Sequence, residues 1–226
     1  MEIIPGIHQI EGVNANSYLV IAGNETILID TGLPGNAKRI LAYTEKIGLK
    51  PSDIRTIVIT HHHLDHTGSL CNLKKATGAM VAIHQEDADY LSGKKKQEIQ
   101  TKGLRTFLFK LLSRFFGSKP VKSDILLKEG DRIDGLTVIH TPGHTPGSIA
   151  LYDMGNRVIF VGDTLRYVNG KITGSPEMFS SDPEKARQSI EKIAKLDYDI
   201  MLSGHGQPLR PKASEKIKEY ISTYQK

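Results

Sequence analysis

Residues 60–68 read THHHLDHTG, which puts four histidines and an aspartate into the six positions from 61 to 66. His61, His63, Asp65 and His66 are packed too densely for the one-face spacing of a zinc-binding helix, and the HExxH pattern of such a helix is absent. The preceding IRTIVIT is β-branched and apolar, so the cluster begins where a strand ends. A loop leaving that strand can turn alternate side chains toward one point. Neutral imidazole suits zinc and other first-row metals, while a carboxylate adds a harder ligand and offsets positive charge. On this stretch alone, a metal site competes with a histidine-rich surface patch or with groups that only support ligands.

The rest of the chain weighs against the patch. TPGHTPGS sets His144 in a loop bounded by Pro and Gly after a strand-like run, VGDT ends another run at Asp163, and LSGHG ends a third at His205. Ligands arriving singly from the ends of several strands are how a metal site is assembled on an α/β scaffold. Further strands are expected in NSYLVIAG, ETILIDTG, AMVAIH, LTVIH, SIALYDM and RVIFVGDT. Between them, GNAKRILAYTEKIGL spaces Ile40, Leu41, Tyr43 and Ile47 at helical intervals, and GSLCNLKKATG reads as a second helix. SDPEKARQSIEKIAKL adds a third, with Asp182 as its cap and Pro183 in its first turn. This alternation predicts an α/β fold.

A chain of 226 residues with 38% hydrophobic and 24% charged residues is expected to form one soluble domain over residues 1–226. No stretch approaches the roughly 18 apolar residues of a membrane span. The opening MEIIPGIHQIEG lacks the pattern of a secretory signal, and a lone cysteine, Cys71, cannot form an internal disulfide; both predict a cytoplasmic protein. Cys71, on a predicted helix, reads as a buried small hydrophobe. The net charge of +5 is compatible with anionic substrates or nucleic acid, and equally with solubility alone.

One segment departs from the pattern. Residues 94–122 carry nine Lys or Arg against one acid, Glu98, and four of the six Phe fall between 107 and 116. Leu104, Phe107, Leu108, Leu111, Leu112, Phe115 and Phe116 form one apolar stripe on a basic helix, read as an insertion around residues 91–123. The stripe fits packing on the chain's own core, a homodimer contact through residues 104–116, or a lid over an acyl chain.

Taken in order, LIDTG, THHHLDH, HTPGHTPGS, VGDT and GHG resemble the metallo-β-lactamase superfamily over most of the chain. The resemblance implies an α/β architecture, an αββα sandwich of two mixed sheets flanked by helices. It implies that His61, His63 and His144 bind one divalent metal, that Asp65, His66 and His205 bind a second, and that Asp163 bridges the two. Asp30 matches an early aspartate that supports the ligands without touching metal. Zinc is the expected metal, with iron or manganese as alternatives. Such a pair holds a shared hydroxide as nucleophile, with Asp65 and Asp163 as the catalytic carboxylates. No GxSxG elbow and no phosphate-binding GxxxxGK[ST] loop competes with this chemistry. Of the other histidines, His62 reads as outward-facing or supporting, His8 and His140 as structural, and His84 as either structural or cleft-lining.

Departures from subgroups narrow the activity. Asp163 stands where the family's β-lactamases have cysteine or another residue. Only 21 residues follow His205, too few for the helical domain with which glyoxalase II enzymes grip glutathione. Acyl-homoserine lactonases resemble the chain in size and ligands, and use a tyrosine shortly after the bridging aspartate; Tyr167 is one position off that spacing. The expected function is therefore hydrolysis of an ester, thioester or lactone of a small molecule. The alternatives are a persulfide dioxygenase with one iron and, below it, a phosphodiesterase or nuclease.

Overall fold

The computed structural model describes residues 1–23, 25–96 and 119–224. The helix expected at 104–116, and with it the proposed dimer contact or lid, lies outside the described residues. The chain divides into two compact units, Met1–Leu126 and Leu127–Lys226.

Among the described residues, the first unit is built on strands β1 (Glu2–Ile4), β2 (Ile7–Ile10), β3 (Ser17–Ala22), β4 (Glu25–Ile29), β5 (Ile54–Ile59) and β6 (Met80–His84). With β7 (Ile125–Leu127) they form one sheet in sequential order. The first four pair antiparallel, and β4, β5 and β6 run parallel, so the sheet is mixed. Parallel strands need crossovers, and helices α1 (Ala37–Lys46) and α3 (Leu70–Thr77) supply them, with the single turn α2 (Leu64–Thr67) between. Ile27, Leu28, Ile57, Val58 and Ile59 are fully buried, the pattern of strands covered on both faces. Ile40 is buried in the core while Leu41, Tyr43 and Ile47 pack at its edge, as their helical spacing predicts. Cys71 is only half-buried, although it does pack against this core. A further short helix, α4 (Ala88–Leu91), precedes the undescribed segment, and Val121 N donates to Leu91 O at 3.0 Å, so the chain leaves and returns at one point.

The second unit holds β8 (Arg132–Ile133), β9 (Leu136–His140), β10 (Ile149–Asp153), β11 (Val158–Gly162) and β14 (Ile200–Ser203), ordered β14-β11-β10-β9-β8. β11 and β14 are parallel and the other pairs antiparallel. A hairpin of β12 (Leu165–Val168) and β13 (Lys171–Gly174) leaves the end of β11. Helices α5 (Pro183–Ala194) and α6 (Ala213–Tyr224) cover this unit, burying Ile190, Ile193 and Ile217 against Ile159, Val161 and Met201. Each buried aliphatic side chain contributes about 1.5–3 kcal/mol. Asp182 caps α5 by accepting from Lys185 N at 3.1 Å, with Pro183 in the first turn, as expected. No helix among the described residues is long and apolar enough to cross a membrane.

Candidate metal centre

In the first unit the ligand candidates follow directly from β5. Thr60 directly follows the strand, His61 and His63 lie on the connection, and Asp65 and His66 stand on α2. The turn closes because His66 N and Thr67 N both donate to His63 O at 3.0 Å. The rings of His61 and His66 lie 4.0 Å apart and those of His61 and His63 4.8 Å. His66 Nε2 is 3.8 Å from Asp65 Oδ2.

LIDTG braces this cluster. Asp30, buried and at φ 56°, takes its backbone into the left-handed region, which Asp tolerates better than most residues. Its carboxylate accepts from Thr60 N at 2.8 Å and from Thr60 Oγ1 and His66 Nδ1 at 2.7 Å each. Thr31 adds two bonds, N and Oγ1, to His66 O at 2.8 Å. His66 is therefore held at both its ring and its carbonyl, the supporting role expected of Asp30. Thr60 Oγ1 also lies 3.0 Å from His61 Nδ1.

His62 faces away from the metal candidates. Its Nδ1 lies 2.9 Å from Asp87 Oδ2, its backbone N donates to the same oxygen at 3.0 Å, and its ring stacks on Tyr90 at 4.2 Å and 9°. Its side chain is packed inward, against the outward-facing alternative. His8 contacts the Tyr43 hydroxyl at 3.3 Å and His140 Nε2 the Pro146 carbonyl at 2.9 Å. His84 is buried at the end of β6.

In the second unit His144, Asp163 and His205 come from three separate strand ends. Asp163 Oδ2 lies 3.7 Å from His144 Nε2 and 3.4 Å from His205 Nε2. Ser175 Oγ is 2.6 Å from His144 Nδ1. The His144 loop is pinned to the start of α5: Ser181 N donates to His144 O at 3.1 Å and Asp182 N to Gly143 O at 2.9 Å. Gly143 has φ +132°, and a Cβ there would sit 2.1 Å from Ala186 N, so only glycine fits. Gly206, beside His205, is equally restricted, because its Cβ would meet Tyr167 O at 2.2 Å.

Arg166 reaches Asp163 Oδ2 directly with Nη2. Adjacent strand residues point to opposite faces, so Tyr167, the residue singled out by sequence, turns the other way and packs with Ile172 against the core of this unit.

The donor set fits divalent metal. Two ligands at a zinc–nitrogen distance of about 2.0–2.1 Å in tetrahedral geometry stand roughly 3.3 Å apart, close to the 3.4–3.8 Å between Nε2 and carboxylate oxygen in each unit. His61, His66 and His144 all engage a protein oxygen through Nδ1, which orients Nε2 for coordination.

The sequence profile of the "Metallo-beta-lactamase superfamily" matches residues 10–205. The chain belongs to this superfamily. The fold, α/β with mixed sheets flanked by helices, is the one its motifs imply. Among its relatives, the probable metallo-hydrolase YflN of Bacillus subtilis is 29% identical over 93% of this chain and 88% of its own. The hydroxyacylglutathione hydrolase GloC of Haemophilus influenzae is 31% identical over 79% of each. Among solved structures, TTHA1623, crystallised in a di-iron-bound form, is 25% identical at TM-score 0.70, covering 93% of this chain and 97% of that one.

Sequence reasoning missed Thr31, Thr60, Asp87, Ser175 and Arg166. Thr31 and Thr60 lie inside the quoted motifs LIDTG and THHHLDH, so their place there was the available signal. Asp87 and Ser175 meet histidines far away in sequence and carried no signal at all.

Proposed function

We propose that this chain is a metal-dependent hydrolase that cleaves an ester, thioester or lactone bond of a small molecule. His61, His63 and His144 hold one divalent ion, Asp65, His66 and His205 a second, and Asp163 both. The observation that carries this reading is the shared arrangement of His61, His66 and His144, each fixed through Nδ1 by a protein oxygen. Superfamily membership and the hydrolase names of YflN and GloC support it. Zinc is the metal favoured by an imidazole-rich set with two carboxylates, and the di-iron form of TTHA1623 makes iron the competitor. When bound, such a pair lowers the pKa of water toward neutrality, which supplies a nucleophile without Ser or Cys.

The chain's own residues do the remaining work. Asp30 and Ser175 fix the orientation of His66 and His144, and Asp65, half-exposed beside His66, orients the attacking water and accepts its proton. Asp163 is buried and lies within 3.4–3.7 Å of two histidine nitrogens, a position suited to a shared ligand. The lone Cys71 fits a reducing compartment, and we assign the protein to the cytoplasm.

Metal analysis of protein purified without added metal tests the reading, together with Asp163→Ala and a panel of esters, thioesters, lactones, phosphodiesters and persulfides. About two zinc per chain and acyl-bond hydrolysis are expected, with turnover reduced by orders of magnitude in the variant. One iron per chain and oxygen consumption on persulfide would replace the hydrolase with a dioxygenase.

A further inference from the structure

The histidine between two of the proposed ligands is held by a carboxylate that no ligand assignment uses. His62 separates His61 from His63, and Asp87 Oδ2 meets it twice, accepting from its backbone N at 3.0 Å and from its ring Nδ1 at 2.9 Å. Both side chains are buried, Asp87 completely and His62 to 6% exposure. An ionised carboxylate can only accept, so the ring proton sits on Nδ1 and Nε2 is left as an acceptor. That Nε2 is buried and has no hydrogen-bond partner among the described residues.

Packing alone does not explain this pair. His62 stacks on Tyr90 at 4.2 Å and 9°, a contact that phenylalanine would make without burying an unpaired nitrogen. A fully buried carboxylate is costly as well unless donors meet it. What the two polar groups achieve together is local: they fix the peptide that joins His61 to His62, along with the His62 ring. The other fixed points of this connection lie on either side, where Asp30 holds Thr60 N and His63 O takes the amides of His66 and Thr67. Asp30 remains the hub of the cluster, and Asp87 acts where Asp30 does not reach. Asp87 is itself firmly seated, because Tyr90 N and Leu91 N both donate to its carbonyl at 3.1 Å and Leu91 is buried in the core. We propose that Asp87 is a positioning residue: through His62 it sets the direction of His61 and His63, and with it the affinity for the ion assigned to these two and His144. This rests on the two-ion reading above. His66 is fixed separately by Asp30 and Thr31, so the second ion lies outside the influence of Asp87.

The test measures zinc affinity by chelator competition on two backgrounds: His205→Ala, which keeps the ligands of the first ion, and His63→Ala, which keeps those of the second. On His205→Ala, adding Asp87→Ala should weaken zinc binding by about tenfold, the lower end of what losing a ligand-orienting partner costs. On His63→Ala it should leave the affinity unchanged. Asp87→Asn should recover most of the loss, since an amide oxygen still accepts from His62 N. His62→Phe keeps the stack on Tyr90 and loses only the ring bond, so it should give a smaller loss on the same background. Urea unfolding of each metal-free variant checks that it is folded. Unchanged affinity in a folded Asp87→Ala protein on the His205→Ala background, or an equal loss on both backgrounds, would overturn the assignment and reduce Asp87 to a structural part of α4. If Asp87→Ala does not fold, His62→Phe decides: a loss confined to the His205→Ala background supports the assignment, and unchanged affinity there overturns it. Failure of wild type to bind zinc or iron at all would instead sink the metal-dependent hydrolase reading.

Discussion

In the unit Met1–Leu126 the proposed ligands stand almost side by side in sequence, and in the unit Leu127–Lys226 they come one each from three strand ends. The two are stabilised differently. The contiguous set hangs on one buried carboxylate, because Asp30 takes bonds from Thr60 and His66, and Thr60 in turn touches His61. In the dispersed set each histidine lies on its own loop, and these loops depend on how closely they can approach a neighbouring backbone. His144 needs Gly143 against Ala186, and His205 adjoins Gly206 against Tyr167. A contiguous site thus concentrates its vulnerability in a side chain, and a dispersed one spreads it over backbone positions.

The contrast breaks most visibly at its hub. Asp30→Ala would leave Thr60 N, Thr60 Oγ1 and His66 Nδ1 buried without their acceptor, and each such donor costs about 1–3 kcal/mol. The variant should lose several kcal/mol in urea unfolding. Loss of an orienting partner also weakens metal affinity by roughly 10–100-fold, readable by chelator competition. Near-wild-type affinity in a folded Asp30→Ala protein would show that the contiguous set orients itself.

Gly143→Ala asks the same of the dispersed set. The new Cβ meets Ala186 N and Cα at 2.1 and 2.4 Å, both backbone atoms, at a φ of +132°. The loop must move, at a cost of about 1–3 kcal/mol for strain of this kind, and His144 moves with it. Metal affinity should fall by about tenfold, less than in Asp30→Ala, because Asp163 and His205 are held elsewhere. An equal or larger loss would mean that the dispersed ligands are coupled after all.

The same contrast governs what could be read in advance. Contiguous chemistry is visible in sequence: THHHLDH, LIDTG and the apolar runs before them led to β4, β5 and the brace at Asp30. Asp182 and Pro183 announced α5 because capping is local. The β12–β13 hairpin was equally local, since Asn169 and Gly170 both take positive φ, the turn that an Asn-Gly pair favours between strands. Reading that turn would have put Arg166 and Tyr167 on opposite faces and corrected the emphasis on Tyr167. Long-range pairs are different. Nothing near Ser175 or Asp87 names His144 or His62 as its partner, because the fold alone brings them together.

The smallest expected effect separates the support of a ligand loop from the stability of the helix beneath it. Asp182 begins α5, and its backbone N holds Gly143 O while its side chain caps the helix. The bond from Lys185 N holds the Asp182 carboxyl below its ordinary value, with Lys185 adding to the effect. A carboxylate with a depressed folded-state pKa contributes stability above its unfolded value and loses it as the pH falls through the folded one. Wild type should therefore shed this contribution below about pH 4. Asparagine is an equally good cap but does not titrate in this range, so Asp182→Asn should match wild type closely in melting temperature at pH 7 and show a shallower decline on acidification. Its metal content at pH 7 should be that of wild type, because the backbone bond from residue 182 to Gly143 survives the substitution. Loss of metal in Asp182→Asn at neutral pH would show that the cap's charge, and not only the backbone geometry it starts, reaches the His144 loop.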